Sequence, residues 1–109
     1  MTVVTLELHG VTDKAAFMDR CARSLHFPEW FGRNWDALFD CLTDPDWMQG
    51  RGGWLVRVSG WQGYEAAAPE QWRTALAVFT DAAERWRDTA TPLRIELTGQ
   101  AHPTPGTSG

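Results

Sequence analysis

The chain has 109 residues, of which 43% are hydrophobic and 22% charged, so it has the size and composition of one soluble globular domain. No apolar run approaches the roughly 20 residues that a membrane span requires, and the N-terminal residues show no signal-peptide pattern, so we expect a cytoplasmic protein. The net charge of −4 argues against nucleic-acid binding where the acidic residues gather, because phosphates would be repelled.

The first part of the chain has the pattern of a strand followed by a helix. Apolar and polar residues alternate over residues 3–8, which predicts the strand. Thr12 or Asp13 is a suitable N-cap for a helix with one apolar face, and this helix ends before Pro28. The two cysteines of the chain lie in this helix and the next one. We expect them to be buried free thiols rather than a disulfide.

An aromatic loop and a second helix come next. Residues 28–33 form the loop, which carries Trp30 and in which Gly32 is free to adopt a positive φ. Asn34 is a good N-cap for a helix over residues 35–43, and a proline two residues beyond that helix prevents its continuation. The sequence therefore predicts a glycine-containing aromatic loop directly before a capped helix.

The second half of the chain predicts a strand, a long helix and a final strand. Residues 46–53 form a loop or short turn before an apolar strand over Trp54–Ser59. A glycine-containing connection over residues 60–68 leads to a helix that Pro69 can begin at its first position. Apolar residues then alternate with charged ones over Leu93–Leu97, which predicts a half-buried strand.

These elements define the fold class as α/β, with the order β-α-α-β-α-β. The connections between strands are long and helical, so the three strands should be parallel with right-handed crossovers. The alternation in the outer strands predicts that helices cover mainly one face of the sheet. We expect one domain over residues 1–99 and a disordered polar tail over residues 100–109.

An acidic stripe marks the second helix. Asp36, Asp40 and Asp44 recur every fourth residue, so they lie on one side of that helix, away from its apolar face. Like charges at this spacing and carboxylates near a helix C-terminus together cost on the order of 1–2 kcal/mol at low salt. Residues 29–49 contain five acidic residues and one basic residue, whereas acids and bases balance elsewhere. Folding alone would not favour this arrangement, which indicates a surface for a cationic partner.

Other interpretations of the acidic stripe stay open at this point. It can be a solvated surface without a partner, a Mg²⁺ or Ca²⁺ site, or the centre of a metal-dependent hydrolase. The spacing does not match a calcium-binding loop, the three histidines are scattered, and no nucleophile has a base suggested nearby. We therefore expect neither an enzyme nor a metal site nor a cofactor.

Residues 25–43, with the sequence LHFPEWFGRNWDALFDCLT, resemble the signature of the barstar family of ribonuclease inhibitors. The matching pattern is a leucine, a proline and an acid, two aromatics, a glycine, an asparagine, and then Asp-Ala-Leu, an aromatic and Asp-Cys-Leu-Thr. The remaining elements agree with the family in their order. The resemblance implies an intracellular inhibitor, monomeric when free, that blocks the active site of a secreted, basic, guanyl-specific microbial ribonuclease.

The resemblance also implies roles for individual residues. Asp40 matches the acid that enters the nuclease active site where a substrate phosphate would sit, and Asp36 matches a second acid that contacts residues around it. Trp30 matches the loop aromatic that packs on the catalytic histidine, and Asp81 matches a peripheral acid whose role is electrostatic. The other candidate partner-binding residues are Gly32, Asn34, Phe39, Asp44 and Trp47.

The sequence departs from the family pattern around the same surface. The loop aromatic is typically tyrosine and the helix aromatic tryptophan, whereas this chain has Trp30 and Phe39. Asp44 and Pro45 replace a glycine and a tryptophan after the helix, and Trp47 is the residue that could compensate. These departures imply that a guanyl-specific ribonuclease other than barnase is at least as good a candidate partner. The alternative function is an interaction or immunity protein of the same fold with another basic partner.

Overall fold

The computed structural model describes residues 1–99, which form a three-stranded sheet packed with helices. The elements along the chain are β1 (Thr2–Glu7), α1 (Lys14–Ser24), α2 (Trp35–Leu42), α3 (Pro45–Met48), β2 (Trp54–Ser59), α4 (Gln62–Ala67), α5 (Pro69–Trp86) and β3 (Leu93–Leu97). The predicted α/β class and parallel strands are confirmed. No helix in this part of the chain is long and apolar enough to cross a membrane. The predicted polar tail lies outside the described residues.

The sheet has the strand order β1-β2-β3, and both strand pairs are parallel. Thr5, Arg57 and Glu96 form one exposed row across it, in which Arg57 Nε donates to Glu96 Oε1 at 3.1 Å. The next pair in the register, Leu6 and Val58, is fully buried. This alternation arises because successive side chains of a strand point to opposite faces and the helices cover one face.

Side-chain caps fix where the first two helices begin. Asp13 Oδ1 accepts a hydrogen bond from Ala16 N at 2.9 Å, and Asn34 Oδ1 accepts one from Ala37 N at 2.7 Å. Each bond satisfies an amide of the first turn that has no partner within its own helix. The predicted caps are confirmed, with Asp13 rather than Thr12 in the first of them.

Two short helices occupy segments where the sequence predicted connections or a turn. Pro45 stands at the start of α3, and Asp44 Oδ1 accepts a hydrogen bond from Asp46 N at 2.9 Å. The proline that ends α2 thus begins a new helical turn, because its fixed φ suits the first position. In α4, Tyr64 is fully buried and its ring stacks on Phe17 at 5.4 Å, so tertiary packing holds this glycine-containing segment in a helix.

Buried aromatic residues and thiols close the core. The ring of Trp47 stacks on that of Trp54, with centroids 4.6 Å apart, and its Nε1 donates to the Leu25 carbonyl oxygen at 2.8 Å. Cys21 and Cys41 are free and buried, as expected, and burial raises the pKa of each thiol. The stack and its hydrogen bond join the end of α1, the helix α3 and the strand β2.

We expect Trp47→Phe to destabilise the protein, because it keeps an aromatic ring but leaves the buried Leu25 carbonyl without its indole donor. The free energy of unfolding should fall by about 1–3 kcal/mol, measured by urea denaturation. Trp30→Phe is the matched control, because Trp30 is 68% exposed and its replacement should change stability by less than about 0.5 kcal/mol. Equal losses in the two variants would contradict the role assigned to Trp47.

Candidate partner-binding site

The loop before α2 buries one aromatic residue and exposes its neighbour. Phe31 is 3% exposed, and its ring packs on that of Phe27 with centroids 5.0 Å apart, which anchors the loop to the core. Trp30 is one of three large hydrophobic residues that are exposed within residues 1–99. Tryptophan is enriched among the residues that dominate binding energy at interfaces. The loop therefore holds Trp30 where a partner could cover it.

Arg33 carries the left-handed backbone of this loop, with a φ of 52°. Gly32, which we expected to be free to adopt a positive φ, does not adopt one. The sparsely populated conformation of Arg33 is held by an ion pair, in which its Nε lies 2.9 Å from Asp19 Oδ1 on α1. The guanidinium also lies 5.9 Å from the centre of the Phe31 ring. These contacts fasten the loop to α1 and to the core.

Gly32 and Asn34 lie at the start of α2. A Cβ added at Gly32 would lie 3.4 Å from Asn34 Nδ2 and 3.5 Å from Ala37 Cβ, which is ordinary van der Waals contact, so the space beside the helix cap admits an alanine. Asn34 is exposed, and its Oδ1 is used by the cap. Asn34 therefore fixes the start of the helix, while the contacts of both residues with a partner stay a prediction.

Carboxylates from two helices surround one groove of about 520 Å³ between α2 and α5, which we call the acidic groove. Asp36 and Asp40 come from successive turns of α2, and Asp81 comes from α5; all three are exposed. The structure therefore brings together three acids that are separated by up to 45 residues in the sequence. The lining residues are Trp35, Asp36, Phe39, Asp40, Val78 and Asp81.

The carboxylates of the acidic groove have no cationic partner within 4 Å in the described part of the chain. The ion pairs found there use Asp19, Glu84, Asp88 and Glu96 instead. Unpaired carboxylates that share a concave surface reinforce one another's potential. They are also the acceptors that form the strongest hydrogen bonds with guanidinium and imidazolium groups. The acidic groove is thus suited to a cationic surface.

Asp44 stands apart from the other two acids of the stripe. The helix α2 ends at Leu42, and the backbone at Asp44 is extended, with φ −74° and ψ 121°, so the predicted line of acids stops after Asp40. Asp44 is half-buried, and its Oδ1 caps α3. This carboxylate therefore has a local structural role, because the proline that follows it breaks the helical spacing.

Trp47 is not available on the surface that we expected it to share. It is 7% exposed and its ring is stacked on Trp54 in the core. Sequence patterning did not show this, because a tryptophan in a predicted loop is compatible with either environment. We therefore remove Trp47 from the candidate binding residues.

The sequence analysis missed three residues at or near the acidic groove, which are Trp35, Val78 and Arg85. The guanidinium of Arg85 lies 5.6 Å from the centre of the ring of Phe39, a predicted site residue that is half-buried in the groove. Val78 lines the groove opposite it, on α5. A signal was present, since Val78, Asp81 and Arg85 are spaced by three and four residues and so share one face of a helix. The chain gave no sign that this face meets α2.

No group of three or more His, Cys, Asp or Glu residues within residues 1–99 is arranged to hold a metal ion. The three acids of the acidic groove line its walls rather than converging on one point that a cation could occupy. What the arrangement offers is an exposed, negatively charged recess flanked by an aromatic side chain.

Comparison with known proteins gives a family match over almost the whole described structure. Residues 1–98 match the family model Barstar (barnase inhibitor), which includes β1, β3 and every candidate binding residue. Comparison with curated proteins gave no match. The match agrees with the resemblance at residues 25–43, with the three-stranded parallel fold and with the acidic helix. The chain belongs to the barstar family.

Proposed function

We propose that this protein inhibits a secreted, basic, guanyl-specific microbial ribonuclease by covering its active site. Family membership supports a barnase-inhibitor-like role. The observation that carries the proposal is the acidic groove, where Asp36, Asp40 and Asp81 meet from two helices with no cation within 4 Å among the described residues. An active site that binds RNA phosphates is rich in cations and complements this surface.

Asp40 is the residue that we place at the centre of the complex. It is exposed on the last turn of α2, where the negative end of the helix dipole adds to its own charge. By resemblance to the family it occupies the position of a substrate phosphate, where arginine and histidine side chains can donate charge-assisted hydrogen bonds to it. Asp36 and Asp81 lie on the walls of the same groove and would meet cations at the margin of the nuclease cleft.

Trp30 supplies the apolar part of the interface. Its exposed indole would pack on the catalytic histidine of the nuclease and exclude water from the charge pairs beside it, which strengthens them. The loop that carries it is already fixed by Phe31 and by the pairing of Arg33 with Asp19. Binding would therefore cost little conformational entropy, because few side chains and no long segment need to be ordered.

The inhibition would be steric and electrostatic, without any chemical step. Facing charges speed the encounter, and desolvated pairs then slow dissociation. We place this activity in the cytoplasm, where a producing cell needs protection, because Cys21 and Cys41 are unpaired and suited to a reducing environment. In this proposal the free protein is a monomer, and the nuclease is its only required partner.

Asp40→Ala should abolish tight inhibition. Titration of the wild-type protein into a guanyl-specific microbial ribonuclease during RNA cleavage should give stoichiometric inhibition. The variant should bind more weakly by a factor of about 30 or more, because nuclease cations are left buried without a partner.

Glu96→Ala is the matched control for this measurement, since Glu96 is an exposed acid on the uncovered face of the sheet, paired with Arg57. It removes the same charge and should leave inhibition within about threefold of wild type. Equal losses for Asp40→Ala and Glu96→Ala would refute the assigned site. No inhibition by the wild type would refute the ribonuclease and leave a different basic partner as the alternative.

The conservative variant Asp40→Asn should stabilise the free protein while weakening inhibition. It removes repulsion from Asp36 one turn away and an unfavourable charge at the C-terminal end of α2, together worth about 0.5–1 kcal/mol at low salt. Urea denaturation should show this gain, and added salt should reduce it. Glu96→Gln should show no gain, because it breaks the pair with Arg57. A loss of stability in Asp40→Asn would contradict the proposal that the charge of Asp40 favours binding at the expense of folding.

A further inference from the structure

A single exposed arginine stands at the margin of the acidic groove. Arg85 lies one turn beyond Asp81 on α5, and its guanidinium carbon is 5.6 Å from the centre of the Phe39 ring. Contact with an aromatic face restricts a guanidinium without neutralising it. The side chain therefore presents a positive charge, held in place, beside three carboxylates that would bind a cationic surface.

Two neighbouring arginines are paired within the protein, whereas Lys14, whose Nζ lies 5.8 Å from the centre of the Trp35 ring, has no carboxylate within 4 Å among the described residues. Arg33, in the loop that carries Trp30, pairs with Asp19 at 2.9 Å. At the C-terminal end of α5, Arg87 pairs with Glu84 at 3.3 Å. Arg85 has no carboxylate within 4 Å in the described structure, so its charge stays available to a partner.

A cation at this place is unfavourable for a partner that is basic throughout its rim. The helix dipole stabilises a positive charge on any side of the last turn of α5, so it does not explain why the charge of Arg85 lies over Phe39. Specific interfaces commonly combine attractive contacts with groups that repel the wrong partner. Arg85 has the charge and position for that role.

We propose that Arg85 is a specificity-determining residue that selects among basic ribonucleases. It favours a nuclease that has a carboxylate facing it at the rim of the basic cleft, and it disfavours one that has lysine or arginine there. This inference rests on the proposed function, because it concerns the rim of the same interface. Asp40 provides affinity for the phosphate site that such enzymes share, and Arg85 distinguishes between their rims.

The test compares inhibition constants for two guanyl-specific microbial ribonucleases, one with an active-site rim of lysines and arginines and one whose rim also carries carboxylates. Arg85→Glu should lower the inhibition constant for the enzyme with the basic rim, relative to the constant for the other enzyme, by about tenfold or more. The reason is that a glutamate at this position attracts the lysines and arginines that Arg85 repels. Arg85→Gln should shift the ratio part of the way. Arg73→Glu is the matched control, because Arg73 is exposed on α5 about three turns away from Arg85 and the substitution makes the same change in net charge. The ratio of the two inhibition constants for Arg73→Glu should stay within twofold of the wild-type ratio.

An unchanged ratio in Arg85→Glu, or an equal change in Arg73→Glu, would overturn the proposal. If inhibition by the wild type and its loss in Asp40→Ala persist in that case, the proposed function stands without this inference. Failure of the wild type to inhibit either enzyme would overturn both. Thermal unfolding checks that each variant is folded, and if Arg85→Glu is not, the ratio measured with Arg85→Gln decides the proposal.

Discussion

The packing of α2 against α5 is the interaction on which the site depends. Trp86 Nε1, near the end of α5, donates a hydrogen bond to the Leu42 carbonyl oxygen at the end of α2, at 2.8 Å. This bond satisfies one of the carbonyls that a helix terminus leaves without a partner, and it joins the C-terminal ends of the two helices. The packing of α2 against α5 holds Asp81 beside Asp36 and Asp40 in the acidic groove.

The acidic groove concentrates negative charge, which destabilises the folded protein. Asp36 and Asp40, one helical turn apart, have no cation within 4 Å among residues 1–99, so their mutual repulsion weakens the free protein. The opposing contribution comes from a core rich in large aromatic rings, such as Phe17, which contacts Tyr64 and Phe79. Burial of each ring contributes about 1.5–3 kcal/mol. Strong packing elsewhere lets the fold tolerate the acidic surface of α2.

Much of this arrangement could be predicted from the sequence. Alternation predicted β1 and β3, and an apolar run predicted β2. The polar side chains of Asp13 and Asn34 predicted the starts of two helices, and the four-residue spacing predicted that Asp36 and Asp40 share a face. These properties depend on residues within one or two turns of each other, so the local sequence contains the relevant interactions. The family resemblance added Asp81, because its spacing from Val78 and Arg85 indicates a shared helix face but not that this face packs against α2.

The tertiary structure alone decided which of the candidate side chains are exposed. Trp30 and Trp47 both stood in predicted loops, yet only Trp30 is exposed, because Trp54 on a strand offers Trp47 a stacking surface and Leu25 offers it an acceptor. Arg85 lies beside the acidic groove because α5 places it over Phe39. Local sequence determined the elements and their faces, whereas contacts between residues far apart in the chain determined the site, because packing free energy depends on neighbours that no local pattern specifies.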